Sequence, residues 1–277
     1  MSTKKQHYIP RMILKHHTFS QIPMAANCLW QYDKLTNQER CVNIRDICRE
    51  KNLYEFKDNN EQIIESTRNV NEQLLSRMEK EWDKILNQIC DNPSAPLNKS
   101  DSDSIYCLFA EQLLRTPEML NFTANHISHI NSTLSEIQAT NMARIGSIPN
   151  TYSINNDSFL AYLFSFLYSL KLIILHTSKT FILNGNRPIL WLRQFQDTPY
   201  QFADFFFPFS SNICLGLTHT YTNSHFYETS DKFVACLNEW NFANQSRFVY
   251  SQSPLSSVFR LSHLPNASFN YYLIFIG

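Results

Sequence analysis

The stretch EQIIESTRNVNEQLLSRMEKEWDKILNQICDNP, residues 61–93, decides the class of the fold. Within it Ile63, Thr67, Val70, Leu74, Met78, Trp82, Ile85 and Ile89 recur at intervals of three and four. That spacing predicts one apolar stripe on a helix of about 30 residues. Asp91-Asn92-Pro93 ends it, because proline has no amide hydrogen with which to continue the ladder. On its C-terminal side a second helix is expected from Asp101 or Ser102, burying Ile105, Leu108, Phe109, Leu113 and Leu114, with Pro117 at its end. A third is expected from Met119 to Ile145, with Leu120, Ile127, Ile130, Leu134, Ile137, Met142 and Ile145 on its inner face.

The next segment, Phe159 to Leu175, is apolar nearly all round and is interrupted only by Ser165, Ser169 and Lys171. A membrane span needs about 20 apolar residues, and a lysine in mid-span costs roughly 3 kcal/mol. A fourth helix, buried by the other three, accounts for the pattern without a membrane, so no integral span is expected.

Outside these helices the period shortens to two. Leu29 to Asp33 alternates, Lys34 to Gln38 supplies turn residues, and Cys41 to Ile44 returns as the second strand of an N-terminal hairpin. Phe181 to Leu183, Ile189 to Leu192, Ile213 to Thr218 and Phe248 to Tyr250 read as strands of a C-terminal antiparallel sheet, and Lys232 to Asn244 as a helix returning to the core. The expected class is α+β, with a helical core of about four helices flanked by the hairpin and the sheet. No linker divides the chain, so residues 1–277 are expected to form a single domain: N-terminal motif and hairpin over 1–56, helical core over 57–180, strands and return helix over 181–251, and a tail over 252–277.

Composition removes several function classes. Lys plus Arg and Asp plus Glu each number 24, so no net charge draws the chain to nucleic acid or anionic lipid. The four glycines, Gly146, Gly185, Gly216 and Gly277, stand far apart, which excludes a Walker loop and a dinucleotide fingerprint. Seven cysteines form no C-x-x-C pair and read as thiols of a reducing compartment. The opening Met-Ser-Thr-Lys-Lys-Gln-His is no secretory signal, so a cytoplasmic location is expected. No G-x-S-x-G elbow is present, and no cofactor is expected.

Four local features occur in order. They are Gln6-His7-Tyr8-Ile9-Pro10-Arg11 with Leu29-Trp30-Gln31-Tyr32-Asp33, then Asn52-Leu53-Tyr54-Glu55, then Gln112-Leu113-Leu114-Arg115-Thr116-Pro117, and last Phe181 to Pro188 with Phe207-Pro208-Phe209-Ser210 and Asn238 to Ser251. Together, over about residues 5–251, they resemble a widespread bacterial family called domain of unknown function 4238. One departure stands out: where the family shows Ser-Asp-x-Pro, this chain has Gly185-Asn186-Arg187-Pro188, so an acid is replaced by an amide. The family's association with mobile and defence-like gene neighbourhoods motivates the expectation of a toxin or defence effector.

The polar residues in these motifs are the candidate site. His7 titrates near neutrality and can act as general acid or base, or it can pin the N-terminal segment together with Tyr8. Arg11 and Arg115 can hold phosphate; Arg115 can equally pair with Glu111 four residues earlier. Asn186 and Arg187 can present donors to a ligand or serve only turn geometry. The resulting expectation is a metal-independent, RNase-like nuclease. Its catalytic residues would be His7, Arg115 and Asn186, its ligand contacts Tyr8, Arg11 and Arg187, and its ligand RNA or another phosphate-bearing molecule. The alternative is a non-catalytic interaction or sensor subunit. It would bind a protein partner, or close a homo-oligomer, through Phe202, Phe205, Phe206, Phe207, Tyr271, Tyr272 and Phe275. His126 and His129 share a helical face, with His219 and His225 as candidate further ligands, but no H-E-x-x-H signature is present and carboxylates near them are few, so they are expected at the surface, as His16 and His17 are.

Overall fold

Aromatic and β-branched runs in the second half of the chain build the sheets, and the amphipathic helices of the first half cover them. The computed structural model describes residues 5–19, 26–146, 159–193, 203–219, 224–243 and 246–258. In chain order the elements are β1 (Lys5–His7), α1 (Arg11–Lys15), β2 (Cys28–Asp33), β3 (Gln38–Asn43), β4 (Arg49–Lys51), α2 (Val70–Asp91), α3 (Lys99–Leu114), α4 (Pro117–Ile130) and α5 (Glu136–Gly146). They continue with α6 (Phe159–Ser169), β5 (Lys171–His176), β6 (Leu183–Asn184), β7 (Leu190–Arg193), β8 (Ala203–Pro208), β9 (Ile213–Thr218), β10 (Phe226–Glu228), α7 (Asp231–Ala243), β11 (Phe248–Ser251) and α8 (Leu255–Val258). The class is α+β, as expected.

A five-stranded sheet, ordered β10-β5-β9-β8-β7, forms the middle layer. Its strands pair antiparallel except for β10, which lies parallel to β5. Alternation along β8 sends Phe205 and Phe207 into the main core with Trp82, Ile85 and Ile89 of α2 and Ile105, Leu108 and Phe109 of α3. It sends Phe206 to the opposite face, where Val234 and Leu237 of α7 cover it. A four-stranded sheet, β3-β2-β11-β6, joins the expected N-terminal hairpin to strands from the other end of the chain. A two-stranded ribbon pairs β1 with β4.

Three expectations about the helices are corrected. The long helix starts at Val70 rather than near Glu61, because Glu61 and Asn69 both adopt left-handed backbone angles that a helix interior excludes. Val70 and Leu74, expected in its stripe, are exposed at 42% and 36%, while Leu75 and Leu86 are buried. The third helix is two: Ser135 and Gln138 form a reciprocal capping box, with Ser135 Oγ accepting from Gln138 N at 3.2 Å and Gln138 Oε1 from Ser135 N at 2.9 Å. The α4–α5 hairpin buries Ala124, Ala139 and Ala143, and Leu120 packs against Leu53, Tyr54 and Leu75, leaving Ile130, Met142 and Ile145 exposed rather than inward. The fourth helix stops at Ser169, and Lys171 to His176 is a sheet strand. A continuous apolar run fits a buried strand as well as a buried helix, and the branched Ile173-Ile174 pair tips it toward the strand. Among the described residues no helix is long and apolar enough to cross a membrane.

Phe205, Phe206 and Phe207, expected as partner anchors, are core residues because all three lie on a strand covered on both faces. Phe202, Tyr271, Tyr272 and Phe275 lie outside the described residues.

Candidate functional site

The motif residues of the first half of the chain converge on the β1–β4 ribbon. Strand alternation turns Gln6 inward, fully buried, and leaves His7 half-buried opposite Arg49 in the ladder. Gln6 Nε2 donates to Glu55 Oε1 at 3.0 Å and its Oε1 accepts from the Tyr54 amide at 2.7 Å. The second carboxylate oxygen of Glu55 accepts from Asn69 N at 3.1 Å, just before α2. Gln112 Nε2 donates to the Tyr8 carbonyl at 2.9 Å, tying α3 to the same ribbon.

Arg115, at the end of α3, closes the network. Its side chain is 2% exposed, and all three guanidinium nitrogens point inward. Nε donates to the Tyr54 hydroxyl at 3.1 Å, Nη1 to Glu79 Oε1 at 3.0 Å, and Nη2 to the His7 carbonyl at 2.6 Å. The Tyr54 hydroxyl in turn donates to the Arg115 carbonyl at 3.1 Å. Glu111 Oε1 lies 3.1 Å from the same Nη1, yet neither carboxylate oxygen of Glu111 accepts a hydrogen bond. Glu79 takes the directed bond; Glu111 lies beside the same nitrogen without one. Burial pushes the Glu111 carboxyl up to about 8 against the pull of Arg115. Burial also opposes the charge on Arg115, but Glu111, Tyr54 and Glu79 outweigh it and hold the guanidinium well above its usual range. Here Arg115 braces the His7 backbone instead of facing solvent.

The His7 ring has a different surrounding. Its Nε2 lies 3.3 Å from the Ile44 carbonyl, which can only accept, so Nε2 carries the hydrogen and Nδ1 the lone pair. Burial first, then the charges of Arg11, Arg49 and Arg115, lower its pKa to about 4, against the Ile44 bond. The imidazole is therefore neutral at pH 7. Arg11 is exposed at the first position of α1, and Arg49 pairs with the exposed Asp46 at 2.6 Å. The Tyr8 amide donates to the Cys48 carbonyl at 2.9 Å, and burial pushes the Cys48 thiol up to about 12.

The turn after β6 belongs to a second network. Asn184 Oδ1 accepts from the Asn186 and Arg187 amides at 3.0 and 2.9 Å, and its Nδ2 donates to the Asn241 carbonyl of α7 at 2.8 Å. Asn238 bridges Ile182 N at 3.0 Å and Thr180 O at 2.8 Å. A Cβ on Gly185 would sit 2.8 Å from the Phe248 carbonyl oxygen, so β11 can approach β6 only with glycine there. Arg187 forks onto Glu118 of α4, with Nε to Oε2 at 3.1 Å. The structure thus joins His7, Arg49, Tyr54 and Arg115, but among the described residues no hydrogen bond links the Asn186 side chain to them.

The chain matches, over residues 5–254, the family model described as a protein of unknown function, DUF4238. The chain belongs to the DUF4238 family. No curated protein and no solved structure matches it. The four motifs that carried the resemblance become two buried hydrogen-bond networks in this DUF4238 chain, one around Arg115 and one around Asn184. Sequence reasoning missed Glu79, Arg49 and Gln6 as members of the site. Gln6 and Tyr54 stood inside quoted motifs, but nothing in the spacing of Glu79 marked it. His126 and His129 are exposed on α4, and the described residues contain no cluster suited to a metal ion. His17, expected in solvent, is fully buried against the Pro208 carbonyl at 3.0 Å, and His16 packs edge-on to Phe209, because α1 seats this pair against the β8–β9 turn.

Proposed function

We propose that this DUF4238 chain is a metal-independent nuclease acting on RNA, with His7 as general base and Arg11 and Arg49 holding the phosphate. The supporting observation is the half-exposed, neutral imidazole whose register partner is Arg49 and whose carbonyl is gripped by Arg115. In the reaction His7 Nδ1 takes the proton of a ribose 2′-hydroxyl. The O2′–P bond forms as the P–O5′ bond breaks, and the departing 5′ oxygen takes a proton from water. The guanidinium groups offset the charge that grows on the phosphate oxygens. Arg115 is a positioning residue in this scheme. Asn186 and Arg187 stand outside it, since Arg187 is committed to Glu118. A toxin or defence effector acting in the cytoplasm is the biological form of this proposal, supported in part by seven cysteines carried as free thiols.

The test is cleavage of single-stranded RNA by the purified chain in EDTA. His7→Ala keeps the main-chain carbonyl that Arg115 grips, so the brace survives while the ring is lost. Its cleavage rate should fall by about 10²-fold or more while cooperative unfolding is retained, and Arg49→Ala should weaken cleavage as well. Intact RNA with wild type, or wild-type rates from His7→Ala, would reject the proposal. A second reading, a non-catalytic binding protein, is favoured by Ile130, Met142 and Ile145, exposed at 72%, 47% and 53% on the α4–α5 hairpin. Catalytically inert wild type whose self-association is abolished by Ile130→Asp would select it.

A further inference from the structure

The sheet face turned toward α7 is incompletely filled. Ile173, Leu175, Phe206 and Phe233 wall a cavity of about 330 Å3 that has Asp204 and Ser230 among its polar lining residues. In the row Ile173–Gly216–Phe206 across β5, β9 and β8, the middle residue lacks a side chain. A Cβ on Gly216 would come within 2.8 Å of Ile173 Cγ1 and 3.4 Å of Phe206 Cε1, so these two side chains close over the glycine. The cavity is separated from His7 by the sheet itself, since Phe206 points away from the main core.

Asp204 gives this apolar space a charged end. It alternates with Phe205 to the α7 side of β8 and is 4% exposed. Its Oδ1 accepts from the His219 ring Nδ1 at 2.9 Å and from the His219 amide at 3.2 Å, which fixes its orientation. A carboxylate held at low dielectric attracts a cation far more strongly than one in water. Aromatic walls add attraction for an apolar body and for the cation's flank. Pockets that hold small molecules begin near about 300 Å3, which limits the occupant to a small one.

We propose that this cavity binds a small primary amine with an aromatic or branched aliphatic body. The ammonium group is directed to Asp204, and the body lies against Phe206 and Phe233. The proposal is independent of the nuclease reading. It is tested by calorimetric titration of the full chain with 2-phenylethylamine, 2-phenylethanol and 3-phenylpropionate. Saturable binding of the amine is expected, at least tenfold weaker for the alcohol and absent for the carboxylate. Asp204→Asn should lower amine affinity at least tenfold and erase the preference over the alcohol, and Phe233→Ala should weaken both. Asp204 also holds His219, so if Asp204→Asn does not fold, the charge series on wild type together with Phe233→Ala decides. No saturable binding of the amine, equal binding of amine and carboxylate, or unchanged affinity in folded Asp204→Asn or in Phe233→Ala would overturn the proposal.

Discussion

Glu111 and His7 sit a few ångströms to either side of the Arg115 guanidinium and respond to pH in opposite directions. The Glu111 carboxyl is raised from 4.5 to about 8, so the folded chain holds this proton more tightly than the unfolded one. Its contribution to stability is complete below pH 4.5 and is lost as pH rises through about 8. His7 is lowered from 6.5 to about 4, so its contribution is complete above pH 6.5 and is lost as pH falls through about 4. Glu111→Gln should therefore melt close to wild type at pH 5 and be more stable at pH 9, by on the order of 2 kcal/mol, as read by thermal unfolding at the two pH values. A gain that is the same at both would show that ionisation of Glu111 is not its source. If His7 is the base in RNA cleavage, the acid limb of the rate profile should fall near pH 4 rather than near 6.5. Arg115 itself was legible as an ion-pair former with Glu111. Its inward turn was not, because Glu79 and Tyr54 reach it from segments 36 and 61 residues away.

Among the elements, the hairpin, β9 and α7 were legible, each marked by clear alternation or by a helical period between turn residues. The α4–α5 turn was also marked, since Ser135-Glu136-Ile137-Gln138 carries the capping signature, but the hydrophobic spacing on either side ran straight through it. Ser135→Ala removes the cap and should cost about 1 kcal/mol in urea unfolding. A change within a few tenths of a kcal/mol would mean that the alanine seam alone sets the turn. Gly185→Ala drives a Cβ into the Phe248 carbonyl, which belongs to backbone and cannot swing aside. That substitution should cost about 1–3 kcal/mol, with the loss appearing in amide-exchange protection of β6 and β11. The segment from Phe159 to Leu175 was illegible for a simpler reason: a run apolar on every side has no period to read, and its split into α6 and β5 is made by the strands that flank it.

At the scale of the whole molecule, the chain closes on itself through β11. Phe248 to Ser251 lies between β2 and β6, and Arg247 forks onto Asp33 with Nη2 at 2.6 Å, so residues more than 200 positions apart share one sheet. Truncation after Ala243 removes the middle of that sheet and should abolish cooperative unfolding by circular dichroism. Cooperative unfolding of the shorter form would show that the helices and the five-stranded sheet fold without this closure. Periodicity, turn chemistry and glycine scarcity establish the α+β class, most of the strands and the exclusion of phosphate loops, because these depend on neighbours a few residues apart. Where the long apolar run changes from helix to strand, which way Arg115 points, and which aromatics are buried depend on partners brought from distant segments. Those were settled only when the sheets closed, since burial and hydrogen bonding over such distances leave no local period in the chain.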